Sequence, residues 1–215
     1  MINSTASIIP PKFVLSGSTV GLCTPERDDF VARWDHFNDP ELCWLVGFQT
    51  TVNVPQAPSI PPFMREQREA YYERMLSRSL IIFDIWLTGE RRCIGEAAWT
   101  RPAWPVASAE LVLALYEGSD RAKGHGTEAI LLMTAYAFDV MGLNRVSARF
   151  LSVNEAADGI GRKAEKYGFR VVGVEREAAW AFGSHQDLTI TECLRTDFAP
   201  QAATAHLRRS SRDKP

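Results

Sequence analysis

The stretch Arg121-Ala122-Lys123-Gly124-His125-Gly126-Thr127-Glu128-Ala129 decides the fold. Before it, Ala109-Glu110-Leu111-Val112-Leu113-Ala114-Leu115 is a run of mostly small and apolar residues. Val and Leu suit a pleated surface, so the run predicts a strand. After it, between Gly126 and Met141, Ile130, Met133, Ala137 and Met141 recur every three or four positions, with Leu131, Thr134 and Phe138 beside them. That spacing predicts a helix with one broad apolar face. Two glycines two residues apart let successive backbone N–H groups turn to one side with no Cβ in the way, and the helix they open adds its positive end. A loop of this kind suits a phosphate.

Neither of two familiar phosphate loops is present. A P-loop needs Gly-x-x-x-x-Gly-Lys-Ser/Thr, and a dinucleotide fingerprint needs a third glycine and a later acidic residue. What stands here, Arg121-x-x-Gly124-x-Gly126, resembles the pyrophosphate-binding loop of the GNAT acyltransferases, which hold acyl-coenzyme A. The likeness continues through Thr127-Glu128-Ala129, Tyr136-Ala137-Phe138, Gly142-Leu143-Asn144-Arg145-Val146, Asn154 and Glu165-Lys166-Tyr167-Gly168-Phe169. These are similar to landmarks of the branch containing spermidine and ribosomal-protein N-acetyltransferases. Upstream, Ala109-Glu110-Leu111-Val112 is similar to the strand that carries the catalytic glutamate in the histone-acetylating branch, at the same distance from the glycine loop. The resemblance implies an α/β (α+β) GNAT fold: a mixed, mostly antiparallel sheet of six to seven strands with helices on both faces. In that fold the strand at Ala109 and the one at Arg145 splay apart at the centre, and pantetheine lies in the gap.

The reaction the resemblance implies is transfer of an acyl group, most simply acetyl, from acetyl-CoA to a primary amine by direct attack. A substrate ammonium has a pKa near 10, so at neutral pH something must take its proton. Glu110 is the candidate base, acting directly or through a water, and Glu96, after Gly95 on the preceding strand, is the reserve. A backbone N–H near Leu115 would stabilise the oxyanion, and main-chain groups of Ala114, Leu115 and Tyr116 would pair with the pantetheine amides. Asn154 resembles the family asparagine that hydrogen-bonds the pantetheine arm, and equally reads as a cap for a following helix. Arg121 and Lys123 would face phosphate, within the cradle Ala122, Gly124, His125, Gly126 and Thr127. The part of His125 is packing or a surface contact.

Departures from the family pattern concern the leaving group. The tyrosine that protonates the departing thiolate in many relatives is replaced by Ala164, and Gly159 and Gly161 interrupt the helix around it. The general acid is therefore unassigned. A donor other than coenzyme A, an aminoacyl group carried on tRNA, is compatible with these changes and with the basic tail His206 to Lys214. A non-catalytic acyl-CoA sensor is the third reading.

Length and composition set the outer limits. At 215 residues and 46% hydrophobic the chain suits one domain, residues 19–198, between a flexible lead-in (1–18) and a flexible basic tail (199–215). The net charge of −2 predicts neither nucleic acid nor an anionic membrane as a general partner. Residues 1 to 15 lack the basic start and apolar core of a signal peptide and no apolar run is long enough to span a bilayer, so the expected compartment is the cytoplasm. Cys23, Cys43, Cys93 and Cys193 stand far apart, with no Cys-x-x-Cys pair and no histidine at ligand spacing. They read as reduced, mostly buried thiols rather than a zinc site. The expected partner is a small-molecule amine or a peptide N-terminus, and a homodimer is compatible with the sequence.

The remaining elements follow from local pattern. Thr19 to Thr24 predicts a strand. Thr24-Pro25-Glu26 predicts a helix start with Thr24 as N-cap, and Phe30, Trp34 and Phe37 share its face. Asn38-Asp39-Pro40 breaks that helix, and Glu41 to Phe48 forms a short second one. Val54 to Pro62 is a proline-stiffened loop, and Met64 to Ser79 a further helix. Strands Leu80 to Leu87 and Arg92 to Trp99 are joined by the turn Thr88-Gly89-Glu90-Arg91. Later come a Pro/Trp loop at Arg101 to Val106, a strand at Arg145 to Val153, a helix at Glu155 to Tyr167, and strands at Phe169 to Arg176 and Leu188 to Leu194. Trp44, Phe48, Trp99, Trp104, Trp180 and Phe182 cluster in segments expected to form the acceptor site; such aromatics are more often core than ligand contacts, though a Pro/Trp loop at a cleft suits the wall of a flat or hydrophobic acceptor. Beyond Glu66, Glu69 and Asp84 few acids cluster, so a polyamine is not favoured over a peptide N-terminus or a small amine.

Overall fold

A computed structural model describes residues 12–46, 63–154 and 165–199. The strands are β1 (Phe13–Ser16), β2 (Val20–Cys23), β3 (Ile81–Leu87), β4 (Arg92–Ala103), β5 (Ser108–Leu115), β6 (Arg145–Leu151), β7 (Arg170–Ala181) and β8 (Ser184–Leu194). The helices are α1 (Arg27–Ala32), α2 (Pro40–Val46), α3 (Arg65–Leu76) and α4 (His125–Asp139). They build one sheet in the order β1-β2-β3-β4-β5-β6-β8-β7, in which only β5 and β6 run parallel.

Alternation along the strands sorts two cores to opposite faces. On β5, Ala109, Leu111 and Leu115 join the core that buries α4, while Ala114 and Tyr116 join the core beneath α1, α2 and α3. On β4 the same alternation sends Ala97 and Trp99 to α4 and Ala98 to the other face. Small residues on α4 (Gly126, Ala129, Ala135 and Ala137) let the helix lie close against the sheet, and Leu132, Met133 and Phe138 fill the space between. Glu110 has the parity of Val112 and Ala114, so its side chain belongs to the α1–α3 face.

Several boundaries differ from the expectation. Residues 13–16, placed in the lead-in, form β1 and give the sheet an eighth strand, because alternation there carries Leu15 into the core. Helix α1 starts at Arg27, not at Pro25. Glu26 takes the cap position with an extended backbone and no side-chain cap, and the Phe30 N–H closes the first turn on the Glu26 carbonyl. The chain then continues as a 3-10 helix over Arg33–Asn38, where a break was expected only at its end. Strand β4 runs on to Ala103 through a register shift, so the Pro/Trp loop shrinks to the 3-10 turn Trp104–Val106. β7 extends to Ala181 across a bulge in which Glu177 has φ 50°. The proline loop at 54–62 and most of the helix expected at 155–167, with Gly159, Gly161 and Ala164, lie outside the described residues.

Glu128 ties the amino-terminal hairpin to α4. Its carboxylate accepts from the backbone N–H and hydroxyl of Ser18, from the Thr19 hydroxyl at 2.5 Å and from the Thr19 and Val20 N–H groups at 3.0 and 3.2 Å. Burial would raise this carboxyl, but the bonds from Thr19 and Ser18 outweigh it and hold the group below its ordinary value. A group depressed in the folded state stabilises above its unfolded pKa and loses that contribution as pH falls through the folded one. Glu128→Ala is therefore expected to lower Tm at neutral pH and to change it progressively less as the buffer is taken toward pH 3, which paired melting curves would measure.

Candidate active site

The opening lies where the two parallel strands part. β5 and β6 pair from Ser108/Arg145 to Leu111/Ala148, but β5 continues to Leu115 and β6 to Leu151 beyond the last pair. β6 is held through that stretch by β8 on its other side, with Phe150 opposite Thr189 and Leu151 opposite Leu188. β5 stays with β4, where Ala114 lies opposite Glu96 and the Tyr116 N–H donates to the Ile94 carbonyl at 3.0 Å. Main-chain groups along an antiparallel strand point alternately to its two edges. With Tyr116 turned to β4, those of Leu113 and Leu115 face the edge that β6 has left. The expected main-chain set of Ala114, Leu115 and Tyr116 is thus narrowed: Leu115 is at the open edge, Ala114 and Tyr116 are turned to β4. Gly95 makes the close approach of β4 possible, since a Cβ there would overlap the Ala114 carbonyl.

Beyond Leu115 the chain makes a 3-10 turn, Gly118–Asp120, and enters the glycine loop. Asp120 is buried and accepts two bonds from Arg92, at 2.7 and 2.8 Å, which fasten the loop to the start of β4 and hold the Asp120 carboxyl below its usual range. Ala122 has φ 59° and Gly124, the residue before α4, φ 91°. Nothing lies within 4 Å of a Cβ on Gly124, so that glycine is required by its backbone angle and not by crowding. The Glu128 N–H makes the first intrahelical bond, to the Gly124 carbonyl at 3.0 Å, and no side chain caps the end. The amides of His125, Gly126 and Thr127 consequently face outward without an intrahelical acceptor, at the positive end of a 15-residue helix. Those donors fit a diphosphate.

The side chains expected around the loop divide. Lys123 is exposed beside the donors. Arg121 instead lies back over the strand end, where it donates to the Leu115 carbonyl at 3.4 Å and stands 3.7 Å from Glu41 of α2. His125 Nδ1 is 3.2 Å from the Thr19 hydroxyl, a surface contact of the kind expected for it. Asn154 follows β6, its N–H bonded to the Leu151 carbonyl at 2.9 Å, on the last described residue before position 155.

The two carboxylates have different surroundings. Glu110 is 5% exposed, lies opposite Thr100 of β4 and Ser147 of β6, and has its Oε1 3.6 Å from Arg149 Nε. Arg149 is the first β6 residue after the pairing with β5 ends, so Glu110 sits at the closed end of the opening, with that cation across it. Glu96 is held more tightly. Arg68 of α3 donates to both its oxygens, at 3.0 Å to Oε1 and also to Oε2, and the Tyr116 hydroxyl donates to Oε2 at 2.9 Å. Burial would raise the Glu96 carboxyl, yet the Arg68 guanidinium outweighs that and lowers it. A carboxylate with both oxygens engaged and its anion favoured is a poor proton acceptor, which removes the reason for keeping Glu96 as a reserve base.

Sequence reasoning missed the partners of Glu96. Arg68 is 1% exposed, its guanidinium 3.4 Å over the Phe30 ring and its Nε bonded to the Phe30 carbonyl at 3.0 Å. Next to it Arg33 donates to Asp84 at 2.6 Å, although burial still pushes the Asp84 carboxyl up to about 6. One signal was available: Asp84 interrupts the apolar run Ile81-Ile82-Phe83-Asp84-Ile85-Trp86-Leu87, and a carboxylate there needs a cation. Nothing in the polar helix around Arg68 marked it. Of the aromatic residues in the segments expected to form the acceptor site, Trp99 is buried in the core under α4, the commoner place for such a residue. Trp44 and Phe182 meet edge to face at 5.0 Å and join α2 to the β7–β8 turn. Trp104 and Trp180 are exposed, and Phe48 lies outside the described residues.

Cys23, Cys43 and Cys193 are buried and Cys93 half-buried, all as free thiols. Burial pushes those of Cys23, Cys93 and Cys193 up to about 12. No group of metal-binding side chains occurs among the described residues, and none of their helices is long and apolar enough to cross a membrane.

Residues 20–170 match the family model described as an acetyltransferase (GNAT) domain. Among solved structures, the chain is similar to the spermidine N-acetyltransferase of Vibrio cholerae in complex with CoA and spermine, with 18% identity, a TM-score of 0.69, and 84% of this chain and 98% of that one covered. It is also similar to a GNAT-family acetyltransferase of Bacillus anthracis (17% identity, TM-score 0.64, 85% and 98% covered). A third is the ribosomal-protein-S5-alanine acetyltransferase of Vibrio fischeri (16% identity, TM-score 0.63, 86% and 98% covered). No curated protein matches the sequence.

Proposed function

The chain belongs to the GNAT acetyltransferase family, and from that premise we propose that it moves an acetyl group from acetyl-CoA to a primary amine, with Glu110 taking the amine's proton. The observation that carries this reading is the parting of β5 from β6 directly upstream of the uncapped end of α4. An extended pantetheine can add to the open edge of β5 as a further strand, pairing with the main-chain groups of Leu113 and Leu115, while the His125, Gly126 and Thr127 amides receive the diphosphate. The Leu115 N–H is then placed to stabilise negative charge on the thioester oxygen.

Glu110 lies further down the same strand, on the α1–α3 face, where an amine would approach from the side away from α4. A buried carboxylate at that point accepts a proton directly or through one water, and Arg149 keeps it in position. The tetrahedral intermediate collapses by breaking the carbon–sulfur bond, and the thiolate leaves without an assigned acid. Lys123 adds positive charge beside the diphosphate.

Two measurements on the purified protein test the reading. Acetyl-CoA at a hundredfold excess over Kd is expected to stabilise the fold by about 2.7 kcal/mol. For a chain of this size that raises Tm by roughly 5–10 °C, at roughly 2–4 °C per kcal/mol. Release of coenzyme A thiol is expected to depend on an added primary amine. Stabilisation without amine-dependent release would make the protein an acyl-CoA sensor, and absence of both would remove the site.

A further inference from the structure

A cavity of about 50 Å³ adjoins β5 on the α1–α3 face, and its chemistry bears on the acceptor. Its apolar walls are Val46 of α2, Tyr71 of α3, Leu80, Ile82, Ala98 and Val112. It is bounded at one end by Glu96 and Arg68, and it reaches Thr100, the cross-strand neighbour of Glu110. A molecule lying in it therefore has its body against carbon and one end at Thr100, the residue paired across the strands with the carboxylate assigned above as base.

Its only carboxylate among the described residues that line it, Glu96, is already neutralised. Arg68 holds both oxygens, Tyr116 adds a third donor, and Arg68 is itself satisfied by the Phe30 carbonyl and by stacking on the Phe30 ring. A polyamine placed there would carry a second ammonium out of water to meet a guanidinium, with no free anion to compensate. An alkyl or aryl group would replace water along the apolar walls.

We infer that the acceptor is a primary amine bearing an apolar group, and that the Arg68–Glu96 pair excludes polyamines by neutralising the carboxylate that, among the described residues lining the cavity, would otherwise bind them. This rests on the acetyltransfer reading. The same chemistry is offered by a small alkyl- or arylalkylamine and by a peptide whose first side chain is apolar.

The test is thiol release by the wild-type protein with n-butylamine, n-hexylamine, 2-phenylethylamine and spermidine, with Leu-initiated and Ser-initiated tetrapeptides as the second arm. The expected result is a kcat/KM that rises about fourfold per methylene from butyl to hexyl. Spermidine should fall roughly 100-fold below hexylamine, as burial of an unpaired ammonium requires. Preference for the Leu peptide over every small amine would identify the peptide source, and the reverse the small-molecule source; both support the inference. Ala98→Phe, which narrows the cavity, should lower kcat/KM for hexylamine about tenfold while the acetyl-CoA shift in Tm persists. Ile82→Ala, which widens it, should move the optimum to longer amines. Spermidine equal to or better than hexylamine, or a flat response across the series, overturns the inference and leaves acetyltransfer standing. No release with any amine or peptide, despite stabilisation by acetyl-CoA, overturns the acetyltransfer reading and this inference with it.

Discussion

Glu110→Gln is expected to lower kcat by roughly 10²–10⁴-fold, the usual contribution of a positioned base, equivalent to about 3–5 kcal/mol in the barrier. Gln keeps the size of the side chain and one oxygen toward Arg149 but cannot accept the proton. In the proposed arrangement acetyl-CoA binds along the open edge and at the helix end and makes no use of that carboxylate, so its effect on Tm should be retained. The residual rate should climb as pH is raised toward the amine's own pKa near 10, because more of the acceptor then arrives as free base. A profile of kcat against pH for both proteins, with acetyl-CoA melting curves alongside, measures all three. Full turnover in the variant would remove Glu110 from the mechanism and return attention to a water or to the amine's own ionisation.

Arg68→Ala is the substitution expected to cost most in stability. Arg68 and Glu96 are each less than a tenth exposed, and removing one member of a buried pair leaves the other charged without compensation, at about 3–5 kcal/mol. At roughly 2–4 °C per kcal/mol for a chain of this size, Tm should fall by roughly 6–20 °C. The pair should behave as a unit. Arg68→Met combined with Glu96→Gln, which removes both charges and keeps most of the volume, should recover a large part of the loss, and a double-mutant cycle would show the coupling. If the single and double variants melt together, the pair contributes packing only. The double variant also bears on the cavity, because it removes the guanidinium from the cavity's end without restoring an anion, so spermidine should remain a poor acceptor.

How much of the site could be read in advance depended on whether its residues announced themselves locally. The glycine loop did, because positive φ at Gly124 and an uncapped helix start are consequences of nearby residues alone. Glu110 was singled out by the resemblance of its strand to a family motif, and its role as base is what the Glu110→Gln variant tests. Arg68 did not: in sequence it belongs to the polar helix Arg65-Glu66-Gln67-Arg68-Glu69, where a buried charge looks like any surface charge. Only the packing of α3 on the sheet, with Phe30 behind it and Glu96 ahead, turns that arginine inward. Trp99 is the converse: it stood in a segment expected near the acceptor site, and strand parity placed it in the core under α4, the commoner place for such an aromatic.

By itself the sequence determined the order of most elements from β2 onward and the phosphate-suited loop, because each depends on period and turn chemistry within one segment. The tertiary structure decided the rest: the point where β5 and β6 part, the main-chain groups turned to that open edge, the face on which Glu110 stands, and the cation that holds both oxygens of Glu96. Those depend on which segments meet, and residues 37 apart in the chain, such as Glu110 and Ser147, carry no local mark of the register that joins them.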